Sequence, residues 1–543
     1  MATTASRHLL RRDLTLPSAR TVVIGTAVVL FVALCLSPVI HMFAASFVDA
    51  GGNFTTINYG RLLGEARQRG LLLNSILLGA GAAALASVIG VPLGLLLARA
   101  DLPAKRLLRL VLVVPLVIPP YILALAWIYL GGSAGLLAQA TGQDLLSDYT
   151  YSLAGAVVVL GISFYPLPML ATEAAARRVE ARLEEAALMV AHPRLVLLRI
   201  TLPLIAPHIA AAALVVFVLA LSEFGVPGLL RVNVFTTEVF TAFAALYDFG
   251  AATSLALPLL LVTLIIGFLV KLIIGDRLLV TRRGSRLGLP LELGHWRAPV
   301  VLGLLLLLTL FVITPLAALS LEAVKASRIV AAVTVSSAAI INSLVLATVG
   351  ATLIVAIAIF LGYSRARSRI RLRGVADLVL IMVFAVPSTV VGVGLIGLWN
   401  RPGPLASVYT SPAIIVVGYL ARFLPVAALI LAASVRQIST SFEEAAEVAG
   451  AGWPRTFARI VIPQMRAGII AAWVVSFIFA FGELGATILV APPGESTLPV
   501  RVYTLIANAP SAEVAALALT QTVIVLIPLA LFSIFARQER WNS

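Results

Sequence analysis

Long apolar runs alternate along the chain with short, arginine-rich polar segments. The runs fall at roughly 21–47, 71–98, 108–131, 151–174, 204–230, 251–275, 298–321, 340–363, 376–399, 411–434, 465–491 and 511–536. Each is long enough to cross a bilayer, which takes roughly 20 residues of helix. Each must be helical, because hydrocarbon offers no partner for a free backbone amide or carbonyl. The pattern predicts an all-α integral membrane protein with about twelve transmembrane helices. The first run exceeds the ~7–15 residue core of a signal peptide, so it reads as a retained first helix. It follows a polar, basic segment, residues 1–20, with Arg7, Arg11, Arg12 and Arg20.

Composition agrees. The 543 residues are 61% hydrophobic and 12% charged, about half the charge of a typical soluble domain, and the mean hydropathy is +1.07. A net charge of +15 would suggest nucleic acid in a soluble chain. Here the basic residues sort by side. With the N-terminus inside, 30 of the 39 fall in inner segments and 8 in outer ones, and Arg422 lies within a run. That is the positive-inside bias of a membrane protein, and it places both termini in the cytoplasm. Cys35 is the single cysteine, which excludes disulfides within the chain, cysteine zinc sites and iron–sulfur clusters.

The chain is also duplicated. At an offset of 268, Asn74-Ser75 matches Asn342-Ser343, Gly94 matches Gly362, Arg99 matches Arg367 and Pro119 matches Pro387. At 260, Pro203 matches Pro463 and Glu223 matches Glu483. Six helices per half give both copies the same orientation, a parallel repeat with a path between the halves. The expected division is a cytoplasmic segment 1–20, a first six-helix half 21–275, a cytoplasmic linker 276–297 and a second half 298–543.

Two polar islands stand at matching places on the cytoplasmic side: EEAALMVAHPRLVLLRITLP from Glu184 to Pro203, and EEAAEVAGAGWPRTFARIVIP from Glu443 to Pro463. Glu and Ala favour helix, and a Glu pair in the first turn complements the helix dipole. Gly450 and Gly452 break that helix and Pro454 can start another. The expectation is two short helices and a turn. The residues Glu444-Ala445-Ala446, Gly450, Ile460 and Ile462-Pro463 resemble the EAA loop of ABC importer permeases. That resemblance implies a type I importer-like fold with two permease halves fused in one chain. It implies two copies of a separate ABC ATPase docked on the islands, ATP–Mg held on that partner, a substrate-binding protein outside, and a bacterial inner membrane. The coupling residues it implies are Glu184, Glu185, Ala186, Ala187 and Pro203 in the first copy, and Glu443, Glu444, Ala445, Ala446, Gly450 and Pro463 in the second. The first copy lacks one residue and the turn glycine, with Val190-Ala191-His192-Pro193 in their place. The fused form is most similar to iron(III) permeases, with thiamine and aminoalkylphosphonate permeases as relatives.

Glu223 and Glu483 fall within the fifth and eleventh runs. A charge in hydrocarbon is costly, about 2.5–3.5 kcal/mol on insertion scales, so each should face a cavity or a partner. They either line the path, where carboxylates suit a hard cation such as Fe(III), or brace helix breaks beside Gly225 and Gly485. Arg422 is the expected partner of Glu483; its first-half counterpart is Ser163. Pro119 and Pro387 should kink their spans, either lining the path or serving packing. No G-x-x-x-x-G-K-[ST] occurs, so ATP binding is not expected in this chain. No cofactor and no certain metal site are expected either. An ion-driven carrier would share the twelve-helix layout but has no need of duplicated islands.

Overall fold

The computed structural model describes residues 19–48, 53–56, 59–60, 64–246, 249–274, 293–325, 329–367 and 373–539. The expected segment 1–20 and linker 276–297 lie largely outside these. Among the described residues the protein is helical, and the sole β-feature is an isolated bridge between Val48 and Phe54. Among the described residues nine helices are long and apolar enough to cross a bilayer, and counting each of three bent pairs as one span brings the number to twelve.

Each half is built around one long helix, Ala66–Arg99 in the first and Ser337–Arg367 in the second. The first packs on Leu153–Phe164, Pro166–Ala176 and Leu202–Ser222; the second packs on the corresponding Ala413–Arg436 and Arg466–Phe481. Lipid supplies no hydrophobic drive for helix association, so close packing of small residues has to provide it. A Cβ at Gly94 would sit 2.4 Å from Met169 O, one at Gly90 2.5 Å from Tyr165 O, and one at Gly362 2.9 Å from Ala432 N. Matching serines tie the N-terminal parts of the two long helices: Ser75 Oγ accepts from Phe235 N at 3.0 Å and Ser343 Oγ from Leu498 N at 2.6 Å.

The first helix of each half crosses over. Ser37–Ala45 packs on Ser388–Trp399 of the second half, and Thr314–Val324 packs on Pro120–Gly131 of the first. The approach is close enough that a Cβ at Gly394 would fall 2.5 Å from Pro38 O. Cys35 lies in this seam and directs its Sγ to Leu420 O at 3.5 Å.

The third and ninth runs differ from the expected kinked spans: they are broken. Lys105–Val117 stops at Ile118–Pro119, which are extended, and Pro120–Gly131 starts afresh. In the second half Leu378–Ala385 and Ser388–Trp399 meet at 93° across Val386–Pro387. Proline removes an amide and also drives the preceding residue out of the helical region, so two residues leave the helix at each break. The fifth and eleventh runs are not continuous either. Helix ends at Ser222 and at Phe481, and short helices Gly225–Leu229 and Thr487–Val490 follow. Glu223 and Glu483 therefore stand in breaks between helices, not inside spans.

Candidate functional site

The islands fold as helix, turn, helix. The first comprises Ala181–Leu188 and a helix opening at Pro193; the second comprises Ser441–Val448 and a helix opening at Trp453-Pro454. Gly450 makes the second turn in the left-handed region at φ +78°. The shorter first turn does without such a residue: among described non-glycines only Ala104 and Arg231 have positive φ. Each island then enters a five-residue π-turn, Leu197–Thr201 or Phe457–Val461, ahead of Pro203 or Pro463. After Pro203 the helix runs on to Ser222, whereas beyond Pro463 the chain bends by 71° into Arg466–Phe481.

An ion pair, buried in the first half and half-buried in the second, ties each island to the end of its long helix. Arg99 donates to Glu184 at 2.7 and 3.1 Å and to Ala176 O at 2.8 Å, and Thr201 Oγ1 donates to Glu184 at 2.7 Å. In the second half Arg367 Nε donates to Glu443 at 2.6 Å and Tyr363 Oη donates to it at 2.7 Å. Trp453 Nε1 donates to that tyrosine oxygen at 3.2 Å and its ring stacks on Phe457 at 5.0 Å. With one glutamate of each pair turned inward, the other, Glu185 or Glu444, is exposed, together with Ala186 and Ala445; Ala187 and Ala446 are half-buried. Pro203 and Pro463 are exposed. Beside them Met189, Val190 and Val448 project almost fully into solvent.

Midway through the molecule the four breaks meet, each half closing on the other. Pro119 lies against Gly482, where a Cβ would approach it to 3.0 Å. Reciprocally, Ser388, next to Pro387, donates to Ser222 O at 3.2 Å. Gly485 and Gly225 make room for Ser388 and Tyr121, at 2.2 and 2.7 Å from a built Cβ. Tyr121 Oη donates to Gln521 Oε1 of the second half. Glu483 is buried and takes four donors: Arg422 Nη1 at 2.7 Å, Ala486 N at 3.0 Å, Thr487 N at 2.8 Å and Thr487 Oγ1 at 2.6 Å. Glu223 accepts from Gly225 N at 3.0 Å. No group of three or more His, Cys, Asp or Glu residues poised for a metal occurs among the described residues.

The pattern of binding-protein-dependent transport system inner membrane components matches this chain twice, over residues 90–276 and 354–540. The chain belongs to that family. It is 24% identical over 489 residues to an Fe(3+)-transport system permease protein of Haemophilus influenzae, covering 88% of this permease and 92% of the relative. It is 24% identical over 477 residues to a ferric transport system permease protein of Actinobacillus pleuropneumoniae, covering 83% and 69%. A molybdenum transport system permease protein of Mycobacterium tuberculosis is 36% identical over 160 residues, 28% of this permease and 58% of the relative. It is thus a two-half permease of the ABC importer class in which every matched segment contains one island and one glutamate break.

The permease also holds residues that sequence reasoning left without a role. Arg99 and Arg367 were visible as repeat landmarks, but nothing local linked them to Glu184 and Glu443. Tyr363, Trp453, Thr201 and Gln521 carry no repeat signal at all; their importance appears only when distant segments meet.

Proposed function

We propose that this permease imports ferric iron, handed over by a separate extracytoplasmic binding protein and driven by two copies of a separate ATPase that hold ATP–Mg and dock one on each island. The halves 21–275 and 298–543 form the translocating body, joined by a cytoplasmic linker at 276–297. Both termini lie in the cytoplasm, a reading supported by the 30 to 8 distribution of basic residues. The observation that carries coupling is the pair of Arg–Glu clamps, one buried and one half-buried. A loop that only skims the membrane surface needs no such anchor. A loop that transmits force from a moving partner does, because its push must reach the long helix and not be lost in a flexible joint. The exposed apolar side chains beside Glu185 and Glu444 fit a protein partner, which buries an apolar core within a polar rim. Iron is supported by likeness to ferric permeases across more than four fifths of the chain.

The test is purification of the tagged permease from native membranes after mild cross-linking, followed by reconstitution. An ATPase and a binding protein should be recovered, and the isolated binding protein should carry iron by metal analysis. Glu185→Lys with Glu444→Lys should leave the permease folded and cut ATPase capture and uptake to below about a tenth, the loss expected when interface anchors are reversed in charge. Uptake that continues without any ATPase would instead identify an ion-driven carrier.

A further inference from the structure

The two glutamates at the central breaks are repeat counterparts with unequal surroundings. Glu483 has Arg422, two backbone amides and a threonine hydroxyl. In the first half each side-chain donor has been replaced. Arg422 corresponds to Ser163, which spends its hydroxyl on Val159 O at 2.8 Å. Thr487 corresponds to Pro227, which has neither an amide hydrogen nor a hydroxyl. What remains for Glu223 is the backbone of Gly225, with that of Val226 alongside, and the distant field of Arg422. Glu223 is nonetheless half-buried where Glu483 is buried, so the residue keeps some accessible surface at the meeting point of the halves. Of the three ionisable side chains here, Glu483 and Arg422 pair with each other, and Glu223 has only backbone donors.

An underpaired carboxylate at membrane depth is costly and persists where it meets a partner from outside the fold. An oxyanion entering this centre would be repelled, whereas a cation would supply the missing charge, and a carboxylate oxygen is a hard donor matched to a hard trivalent ion. We infer that Glu223 is the specificity-determining residue of the path: it is the carboxylate a cation in transit contacts, while Glu483, saturated by Arg422 and the Thr487 turn, is a positioning residue that holds the opposite wall. The inference rests on the import reading above and narrows it to cationic cargo.

The experiment uses the full permease reconstituted with its ATPase and binding protein. Uptake of radiolabelled Fe(III) and of molybdate is followed in parallel for wild type, Glu223→Gln, Glu223→Asp and Glu483→Gln. A second readout is labelling of Glu223 by a hydrophobic carbodiimide, with and without Ga(III) citrate. Glu223→Gln should lower iron uptake about tenfold or more without lowering the thermal midpoint, and Glu223→Asp should recover part of it. Glu483→Gln should lower the midpoint. Ga(III), and not molybdate, should slow carbodiimide labelling about threefold through direct contact with the carboxylate. Iron uptake unchanged in Glu223→Gln would overturn the role of Glu223 and leave iron import standing. Molybdate uptake by wild type without iron uptake would overturn both. Should wild type move neither ion, the labelling decides: no protection by Ga(III) overturns the inference.

Discussion

At the scale of single residues, the two clamps are the same device at different depths. The Glu184 side chain is 5% exposed and its arginine 9%; for Glu443 and Arg367 the figures are 18% and 11%. Removing one partner of a buried pair strands the other and costs about 3–5 kcal/mol, less where water reaches it. Arg99→Ala should therefore lower the thermal midpoint more than Arg367→Ala, since each glutamate keeps one hydroxyl donor, Thr201 or Tyr363, and the Arg99–Glu184 pair is the more buried. Amide exchange over 181–196 should rise in the first variant and over 441–456 in the second. Equal midpoint shifts would show that burial does not set the strength of these clamps. The islands themselves were legible because helix formers, turn glycines and prolines act over a few residues. Their anchors were not, because Arg99 and Glu184 are 85 positions apart and Arg367 and Glu443 are 76 apart. Apolar periodicity says which segments enter the membrane, and is silent on which polar ends meet.

At the scale of elements, the spans were legible and their interruptions were underestimated. Pro119 and Pro387 announce a lost hydrogen bond, which permits a gentle kink or a full break. The outcome is decided by what fills the gap: Gly482 receives Pro119, and the carbonyl of Ser222 receives the Ser388 hydroxyl. Those partners come from the opposite half, beyond the reach of any local pattern. The same reasoning grades the glycines. Gly94 faces the backbone of Met169 at 2.4 Å from a built Cβ, and a backbone atom cannot swing aside. Gly94→Ala should cost about 1–3 kcal/mol by overpacking. Gly303 sits in the helix Arg297–Leu308 with nothing within 4 Å, so Gly303→Ala should be neutral or gain up to roughly 1 kcal/mol from helix propensity. Thermal unfolding in detergent separates the two. A stable Gly94→Ala variant would mean that Ala66–Arg99 and Pro166–Ala176 do not approach as closely as described.

At the scale of the whole molecule, the exchanged first helices make one body of two repeats. Each half covers its broken third span with the other half's first helix, so neither can complete its own packing. In a membrane this matters more than in water, because an uncovered break leaves backbone groups without partners in hydrocarbon. Cutting the chain within the linker, between Gly284 and Ser285, should therefore give two fragments that are lost when expressed singly and accumulate when expressed together. Immunoblots of membrane fractions report accumulation, and uptake reports correct assembly. The sharper version deletes residues 1–48 from the first fragment. If the exchange is structural, the second fragment should fall with it, although it retains all of its own sequence, because Ser388–Trp399 and Leu420 lose Ser37–Ala45 and Cys35. Were the second fragment to persist at full level without that helix, the exchanged helices would be peripheral and the two halves independent bodies. The reciprocal seating of Pro119 on Gly482 and Ser388 on Ser222 argues otherwise: at the centre each half's break is filled by a residue of the other half, so the two repeats should accumulate and unfold as one body.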